Sequence, residues 1–384
     1  MRFHPGHLRI LAALALALAV AAAHPGGADP VPDRNAIRAG AAYRAMQRVF
    51  YRQDRRVYRE SVPGRRPATA WSFSQALAAT IAMANLPERG GAFHADVRDR
   101  LLALARYWNP SSAPPGYDSL LRPPAGKGGG AQFYDDNEWI GIELLGASRL
   151  LGPSRLGRGS LLRAQQLFAL VVGGWDSEPS HPCPGGVFWT RDASVGHRNT
   201  VSTANGAILA LSLYLKTGRP DALSWGRRMV AWVDRCLAAR DGLYFDHIDL
   251  QGAIDATRWS YNQGAMIAAN LLLYRISGEA RYLARAEAVA DAALAYLAPV
   301  IDREPPEFVA IFFHDLLLLD ETAPERHYAD AVQGYADATW LRRDARTGLF
   351  RFPGRATVSL LQQAAMARIY ADLAASDPRR TAAR

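Results

Sequence analysis

The helical segments of this 384-residue chain are of two alternating kinds. One kind carries almost no charge and the other is amphipathic. In residues 279–297, for example, Tyr282, Ala286 and Val289 recur at helical spacing, whereas Arg285 and Asp291 take the other side. The nearly uncharged segments span 71–85, 138–151, 203–215, 262–274, 308–319 and 358–374, and the amphipathic ones span 36–50, 95–107, 159–172, 220–240, 279–297 and 324–341.

A helix that is apolar on all sides must be covered on all sides. Six such helices alternating with six half-covered ones indicate two concentric rings, so we predict an all-α (α/α)6 barrel, a toroid of six inner and six outer helices. With 49% apolar residues, the chain can bury one large core. Only 186–190 and 243–248 are short and apolar enough to be strands, and both lie in predicted loops.

The first residues differ in character from the rest. Arg2 and Arg9 precede an apolar run over 10–23 that ends in three small alanines. The run is shorter than the roughly 20 residues that a membrane-spanning helix needs. We therefore predict a signal peptide over 1–23, a single domain over 24–384, and export to the cell envelope or beyond without stable membrane insertion.

The cysteine content and the net charge exclude little. Cys183 and Cys236 are the two cysteines, and an oxidising compartment permits a disulfide between them without requiring one. The formal charge of +9 falls to +7 once Arg2 and Arg9 leave with the signal. Because no basic run is interleaved with aromatic residues, we expect no nucleic-acid partner. We expect a monomer.

The run Tyr-Asp-Asp-Asn-Glu-Trp at 134–139 ends a loop rich in Pro and Gly and opens an uncharged helix. Asp and Asn are good helix caps and favour the positive end of the helix dipole. Capping needs one such residue, however, and Asp135 and Asp136 together could flank a glycosidic bond, where one carboxyl protonates the leaving oxygen and the other attacks the sugar or activates water. We take these two as candidate catalytic residues, with Tyr134, Asn137 and Trp139 as candidate substrate-binding residues.

Further aromatic and amide residues stand in loops or at helix starts. The run Trp-Ser-Tyr-Asn-Gln-Gly at 259–264 offers either packing at a helix entrance or a platform on which sugar rings stack, beside amides that bind hydroxyls. An acidic residue after two aromatics at 244–246 could bind hydroxyls or influence the carboxyl pair. These candidates for substrate binding are Trp189, Asn199, Asp246, Trp259, Tyr261, Asn262 and Gln263.

Other chemistries find no support in the sequence. Cys183 lacks a nearby set of metal ligands, and no two histidines have His-Glu-x-x-His spacing. There is no Gly-x-Ser-x-Gly elbow and no phosphate-binding Gly-Lys-Thr loop. We assign no metal and no cofactor.

Taken in order, these motifs resemble glycoside hydrolase family 76, which comprises bacterial endo-α-1,6-mannanases and related fungal cell-wall transglycosylases. The shared motifs are Tyr-Asp-Asp-Asn-x-Trp at 134–139, Gly-Trp-Asp at 174–176 followed by Gly-Gly-x-x-Trp at 185–189, Trp-x-Tyr-Asn-Gln-Gly at 259–264, and Leu-Tyr-x-x-Ser-Gly at 273–278. The resemblance extends over most of the mature chain.

The resemblance implies an (α/α)6 barrel and a retaining mechanism, with Asp135 as nucleophile, Asp136 as acid and base, and an α-mannan-type polysaccharide as substrate. Two departures concern the substrate. His247 follows Asp246 where the family usually has Gly, and Asn199 and Asn205 are further apart than the corresponding pair in many members. Two alternatives stay open: transglycosylation, in which a sugar hydroxyl replaces water, and glycan binding without catalysis.

Overall fold

A computed structural model of the protein describes residues 33–121 and 129–376, in which the chain forms twelve α-helices. The predicted signal peptide over 1–23 lies outside the described residues. The helices are α1 (Arg34–Phe50), α2 (Ala70–Ala84), α3 (His94–Leu104), α4 (Tyr134–Leu151), α5 (Arg155–Gly173), α6 (Thr200–Thr217), α7 (Pro220–Cys236), α8 (Ser260–Ser277), α9 (Ala280–Leu297), α10 (Pro306–Asp320), α11 (Tyr328–Trp340) and α12 (Leu360–Ala375).

The even-numbered helices form a closed inner ring. Each contacts the next along the chain, and α12 contacts α2. The odd-numbered helices lie outside this ring. Helices α3, α5, α7 and α9 each pack on the inner helix that precedes them, α11 packs on α10 and α12, and α1 packs on α12. The predicted (α/α)6 barrel is confirmed.

Burial follows the two sequence patterns. Every residue of α2 from Ser72 to Ala84 is buried, whereas α7 buries one face and exposes charged residues on the other. Small residues let the inner helices approach closely: a Cβ added at Gly264 in α8 would lie 2.8 Å from the Cα of Phe312 in α10. The inner helices carry almost no charge because both neighbouring helices of the ring and the outer layer cover them.

Short strands connect the loops at the helix ends. They are β1 (Tyr51–Arg52), β2 (Val57–Tyr58), β3 (Ser61–Val62), β4 (Trp108–Asn109), β5 (Gly116–Tyr117), β6 (Arg198–Asn199), β7 (His247–Ile248), β8 (Ile254–Asp255) and β9 (Val358–Ser359). The strands β6, β7 and β8 form an antiparallel sheet in which Asn199 pairs with His247 and His247 with Asp255. The strand expected at 186–190 makes isolated bridges instead, through Val187, Phe188 and Thr190, because each pairs with a different segment.

The loop between α5 and α6 is fixed at several points. A disulfide joins Cys183 in this loop to Cys236 at the end of α7, with a Cα–Cα distance of 6.1 Å. The fully buried Arg198 donates to Asp176 Oδ2 at 2.7 Å and to the carbonyl oxygen of Asp249 at 2.8 Å. A charged hydrogen-bond network of this kind holds a loop in one conformation. None of the helices in the described ranges is long and apolar enough to cross a membrane.

Candidate active site

The helix α4 begins earlier than its uncharged pattern suggests, so that the two candidate catalytic residues lie in its first turn. Phe133 is the N-cap, and its side chain makes no capping hydrogen bond. The Tyr134 N–H donates to the carbonyl oxygen of Trp189 at 2.9 Å, so the neighbouring loop supplies a backbone acceptor. Neither Asp135 nor Asp136 is therefore the N-cap, although Asp135 accepts a hydrogen bond from an N–H of the first turn.

A cavity of about 420 Å³ opens beside this helix start. Its walls combine aromatic rings with acidic and amide side chains, which is the composition expected where a sugar binds. Seven sequence candidates line it: Asp135, Asp136, Trp139, Trp189, Asn199, Asp246 and Tyr261. The other lining residues are Thr69, Trp71, Ser119, Phe133, His197, His247 and Phe308.

Asp135 lines the cavity and accepts two hydrogen bonds there. Its Oδ2 accepts a hydrogen bond from Trp189 Nε1 at 3.1 Å, and its Oδ1 accepts one from the Asp136 N–H at 3.0 Å. Burial is the largest influence on the pKa of Asp135 and raises it, the hydrogen bonds lower it, and the charge of Asp246 raises it; the net pKa is about 7. Asp135 therefore changes its charge near neutral pH.

Asp136 lies in a different environment. Its side chain makes no hydrogen bond to another described residue, and burial, followed by the charge of Asp135, raises its pKa well above the ordinary range. Two residues further along α4, the fully buried Glu138 also lacks a hydrogen-bond partner among the described residues, and burial raises its pKa as well. Two neighbouring carboxyls thus differ in their preferred protonation state.

Asp246 lines the same cavity, where it contacts amide groups and a histidine. Its Oδ1 accepts from Asn262 Nδ2 at 3.0 Å, its Oδ2 lies 2.7 Å from His247 Nδ1, and Asn199 Nδ2 lies 3.5 Å from the same oxygen. Its charge influences the pKa values of both Asp135 and Tyr261. The acidic residue therefore shares one space with the Asp pair.

One group near the cavity has the composition of a metal site. Single ligand atoms of Asp246, His247 and Asp255 lie within 4.8 Å of one another. Protein partners already occupy these groups, because His247 Nδ1 is bonded to Asp246 and Asp255 Oδ1 accepts from the Thr257 N–H and hydroxyl. We assign no ion to this group, and the absence of a metal stays a prediction.

Two of the predicted amide residues instead hold loops against the inner helices. Asn137 accepts from the Tyr117 N–H at 2.7 Å and donates to the Tyr117 carbonyl oxygen at 3.1 Å. Gln263 makes the same pair of bonds with the backbone of Tyr244, at 2.9 Å each. Both side chains are buried and neither lines the cavity. Their geometry supports a role in positioning loops rather than in contacting a sugar.

The remaining candidates take supporting positions. The Tyr134 ring packs so closely on Gly174 that a Cβ there would lie 2.3 Å from it, and Trp259 packs on Phe308 with ring centroids 5.6 Å apart. Asn262 is fully buried and reaches the cavity only through its bond to Asp246. Neither Tyr134, Trp259 nor Asn262 is among the residues that line the cavity.

Several lining residues were not predicted from the sequence. Trp71 lies against Trp139 with ring centroids 5.9 Å apart, and Phe308 lies 4.1 Å from Tyr261 by the same measure. Both stand near the start of an uncharged helix, which is the one signal that could have identified them. The stack of His197 on His247, by contrast, depends on a strand pairing across about fifty residues.

A helical toroid with two adjacent carboxylates in an aromatic-walled cavity has the arrangement of a glycoside hydrolase, in which paired carboxyls serve the glycosidic bond. The model of one family, described as glycosyl hydrolase family 76, matches residues 36–346, and the chain belongs to this family.

Curated relatives and solved structures agree with this membership. The chain is 24% identical over 233 residues to the mannan endo-1,6-alpha-mannosidase DCW1 of Saccharomyces cerevisiae, a match that covers 57% of this chain and 45% of the yeast protein. The matches to the curated relatives thus span less than half of those proteins' length.

Two solved structures illustrate the likeness in fold. A family 76 alpha-mannanase of Bacteroides thetaiotaomicron superimposes with a TM-score of 0.81 at 19% identity, covering 92% of this chain and 98% of the other. An inactive variant of the alpha-1,6-mannanase GH76A of Salegentibacter, bound to alpha-1,6-mannotriose, gives 0.72 at 19% identity, covering 89% of this chain and 100% of the other.

Proposed function

We propose that the protein hydrolyses α-1,6-linked mannan, or a related α-mannoside polymer, through Asp135 and Asp136. The observation that carries the proposal is the contrast between these neighbouring carboxyls in one cavity. Trp189 and a backbone N–H donate to Asp135, which favours its carboxylate form, whereas Asp136 is buried without such donors. A nucleophile must be ionised and a general acid must hold a proton.

The proposed reaction follows from these states. Asp135 attacks the anomeric carbon while Asp136 passes its proton to the departing glycosidic oxygen, and a covalent mannosyl-enzyme forms. Asp136, now ionised, takes a proton from water, whose oxygen attacks the same carbon and releases Asp135. Net retention at the anomeric carbon is the stereochemical result of two displacements.

Substrates with different leaving groups test the two roles. We expect Asp135→Asn and Asp136→Asn to lose at least about a thousandfold in kcat on α-1,6-mannan, since each removes an essential group. An aryl α-mannoside with an acidic phenol needs little protonation of its leaving oxygen. Formation of the mannosyl-enzyme from this substrate, seen as a burst of phenol, should therefore survive in Asp136→Asn and be absent in Asp135→Asn.

The control is Asp192→Asn, which changes an exposed loop carboxylate outside the cavity. It should retain wild-type rates. Near-normal turnover of mannan by either variant of the pair would overturn the assignment.

Product analysis separates hydrolysis from the alternatives. Incubation with a panel of α-linked glycans, followed by sizing of the products, should give shorter α-1,6-manno-oligosaccharides from an unbranched mannan. Products longer than the starting oligosaccharide would indicate transglycosylation instead, and binding without release of reducing ends would indicate a non-catalytic glycan-binding protein.

We also propose that residues 1–23 are an export signal, that residues 24–384 form one domain, and that the mature protein acts outside the cytoplasm as a monomer. The Cys183–Cys236 disulfide supports this location, since such bonds persist mainly in oxidising compartments. N-terminal sequencing of the mature protein tests the cleavage site, and a start other than near residue 24 would contradict it.

A further inference from the structure

Two histidines from different segments stack in the wall of the cavity. The ring centroids of His197 and His247 are 4.1 Å apart and the rings are inclined by 16°. His247 lies in β7, and His197 directly precedes β6, the strand with which β7 pairs. Both side chains line the cavity. The pair is thus part of the surface that a bound sugar meets.

The contacts of His247 leave one edge of its ring for a ligand. Nδ1 is bonded to Asp246 Oδ2 at 2.7 Å, and His197 covers one face. In the part of the chain that the structure describes, Nε2 has no hydrogen-bond partner. A ring that is fixed through one nitrogen and one face presents its other nitrogen in a defined direction.

Hydrogen bonds also link the stacked pair to both Asp135 and Asp246. The Trp189 N–H donates to the carbonyl oxygen of His197 at 2.8 Å, and Trp189 Nε1 donates to Asp135. A rigid path therefore runs from Asp135 through Trp189 and the histidines to Asp246. A sugar whose anomeric carbon faces Asp135 meets Asp246 and His247 at fixed positions.

We propose that His247 determines specificity by binding one hydroxyl of the mannosyl unit through Nε2, while Asp246 accepts a hydrogen bond from the neighbouring hydroxyl. This inference rests on the proposed function. A hydroxyl both donates and accepts, so it pairs with Nε2 whether or not that nitrogen carries a proton. The Asp246 carboxylate and the His247 imidazole would together bind two adjacent hydroxyls, that is, a vicinal diol.

Three substitutions at one position separate this role from a merely supporting one. The amide of His247→Asn takes roughly the place of Nδ1 and keeps a donor for Asp246, whereas that of His247→Gln reaches roughly to Nε2; His247→Ala removes both. The dissociation constant of α-1,6-mannotriose is measured by calorimetry in an Asp136→Asn background, which prevents turnover. Steady-state KM and kcat on α-1,6-mannan are measured for the same substitutions in the protein with Asp136 intact.

We expect His247→Ala and His247→Asn to raise the dissociation constant and KM about tenfold, the effect of losing one hydrogen bond to an imidazole that a carboxylate holds in place, with kcat within about threefold of the parent. His247→Gln should stay within about threefold of the parent in the dissociation constant, KM and kcat. His181→Ala is the matched control, because His181 Nδ1 also contacts an aspartate, Asp176 at 3.0 Å, but does not line the cavity. His181→Ala should leave the dissociation constant, KM and kcat unchanged.

The outcomes distinguish the inference from the proposed function. If the parent hydrolyses mannan but His247→Gln binds α-1,6-mannotriose no more tightly than His247→Asn, the role of Nε2 is overturned and the proposed function stays intact. The same holds if His247→Ala binds as tightly as the parent. A parent that neither binds nor cleaves α-1,6-mannotriose overturns both.

Discussion

Removal of the disulfide should lower stability far more than activity. Cys183 and Cys236 are 53 residues apart, and closing a loop of that length removes about 14 cal/mol/K of entropy from the unfolded chain, or about 4 kcal/mol at 25 °C. Residual structure in the unfolded chain makes this an upper value. The double variant Cys183→Ala/Cys236→Ala should therefore lose about 2–4 kcal/mol in the free energy of unfolding.

The cavity should tolerate this change below the melting temperature, because other bonds hold the same loop. Trp232 Nε1 donates to the Cys183 carbonyl oxygen at 3.1 Å, and Arg198 anchors Asp176. We expect kcat and KM on α-1,6-mannan to stay within about twofold of the parent at 25 °C.

The assay is equilibrium urea unfolding followed by tryptophan fluorescence, with the parent under reducing conditions as an internal control. The reduced parent and the double variant should share one midpoint below that of the oxidised parent. A loss under about 0.5 kcal/mol would refute the loop-entropy reasoning, and a tenfold loss of activity in a folded variant would refute the claim that the other bonds suffice.

Three further predictions concern the site itself. The kcat/KM for mannan should rise with pH as Asp135 ionises, near its pKa of about 7, and fall at higher pH as Asp136 loses its proton; a maximum below pH 5 contradicts this. Both pKa values are raised on folding, so the contribution of this pair to stability is greatest below the unfolded value of about 4 and is lost as pH rises toward 7; Asp135→Asn should be more stable than the parent at pH 8, by up to about 4 kcal/mol, and equally stable at pH 4, as thermal melts at the two pH values would check. Gly174→Ala should cost about 1–3 kcal/mol and reduce kcat/KM, because the new Cβ meets the Tyr134 ring, whereas Gly159→Ala, with no atom within 4 Å, should be neutral or stabilising in the same urea assay.

The ring architecture could be predicted because it is encoded locally. Each inner helix must be apolar on all sides, and that property is visible in about fifteen consecutive residues, as in α2 and α6. The residues at which helices begin were harder to predict from the sequence. The predicted helix over 138–151 begins at Tyr134, because the acceptor for its first N–H is the Trp189 carbonyl, 55 residues further along the chain.

The site was predictable only in part, for a related reason. Asp135, Asp136 and Trp139 belong to one short motif, so their proximity follows from the helix alone. The positioning roles of Asn137 and Gln263 depend on loops that fold back onto the inner helices, and the stack of His197 on His247 depends on the pairing of β6 with β7. Residue types alone cannot distinguish an amide that holds a backbone from one that binds a hydroxyl.

The start of α4 explains how two adjacent carboxyls of the same type can perform different tasks. The positive end of the helix dipole favours one negative charge in the first turn. The Trp189 indole and the Asp136 N–H both donate to Asp135, which directs that charge to Asp135. Once Asp135 is ionised, its charge and the burial of Asp136 oppose a second ionisation, so Asp136 keeps its proton. When the proposed covalent bond to a sugar forms, the charge on Asp135 disappears, and the same coupling then favours release of the Asp136 proton to the leaving oxygen. The adjacency that first suggested capping thus links the two proton-dependent steps of the proposed reaction.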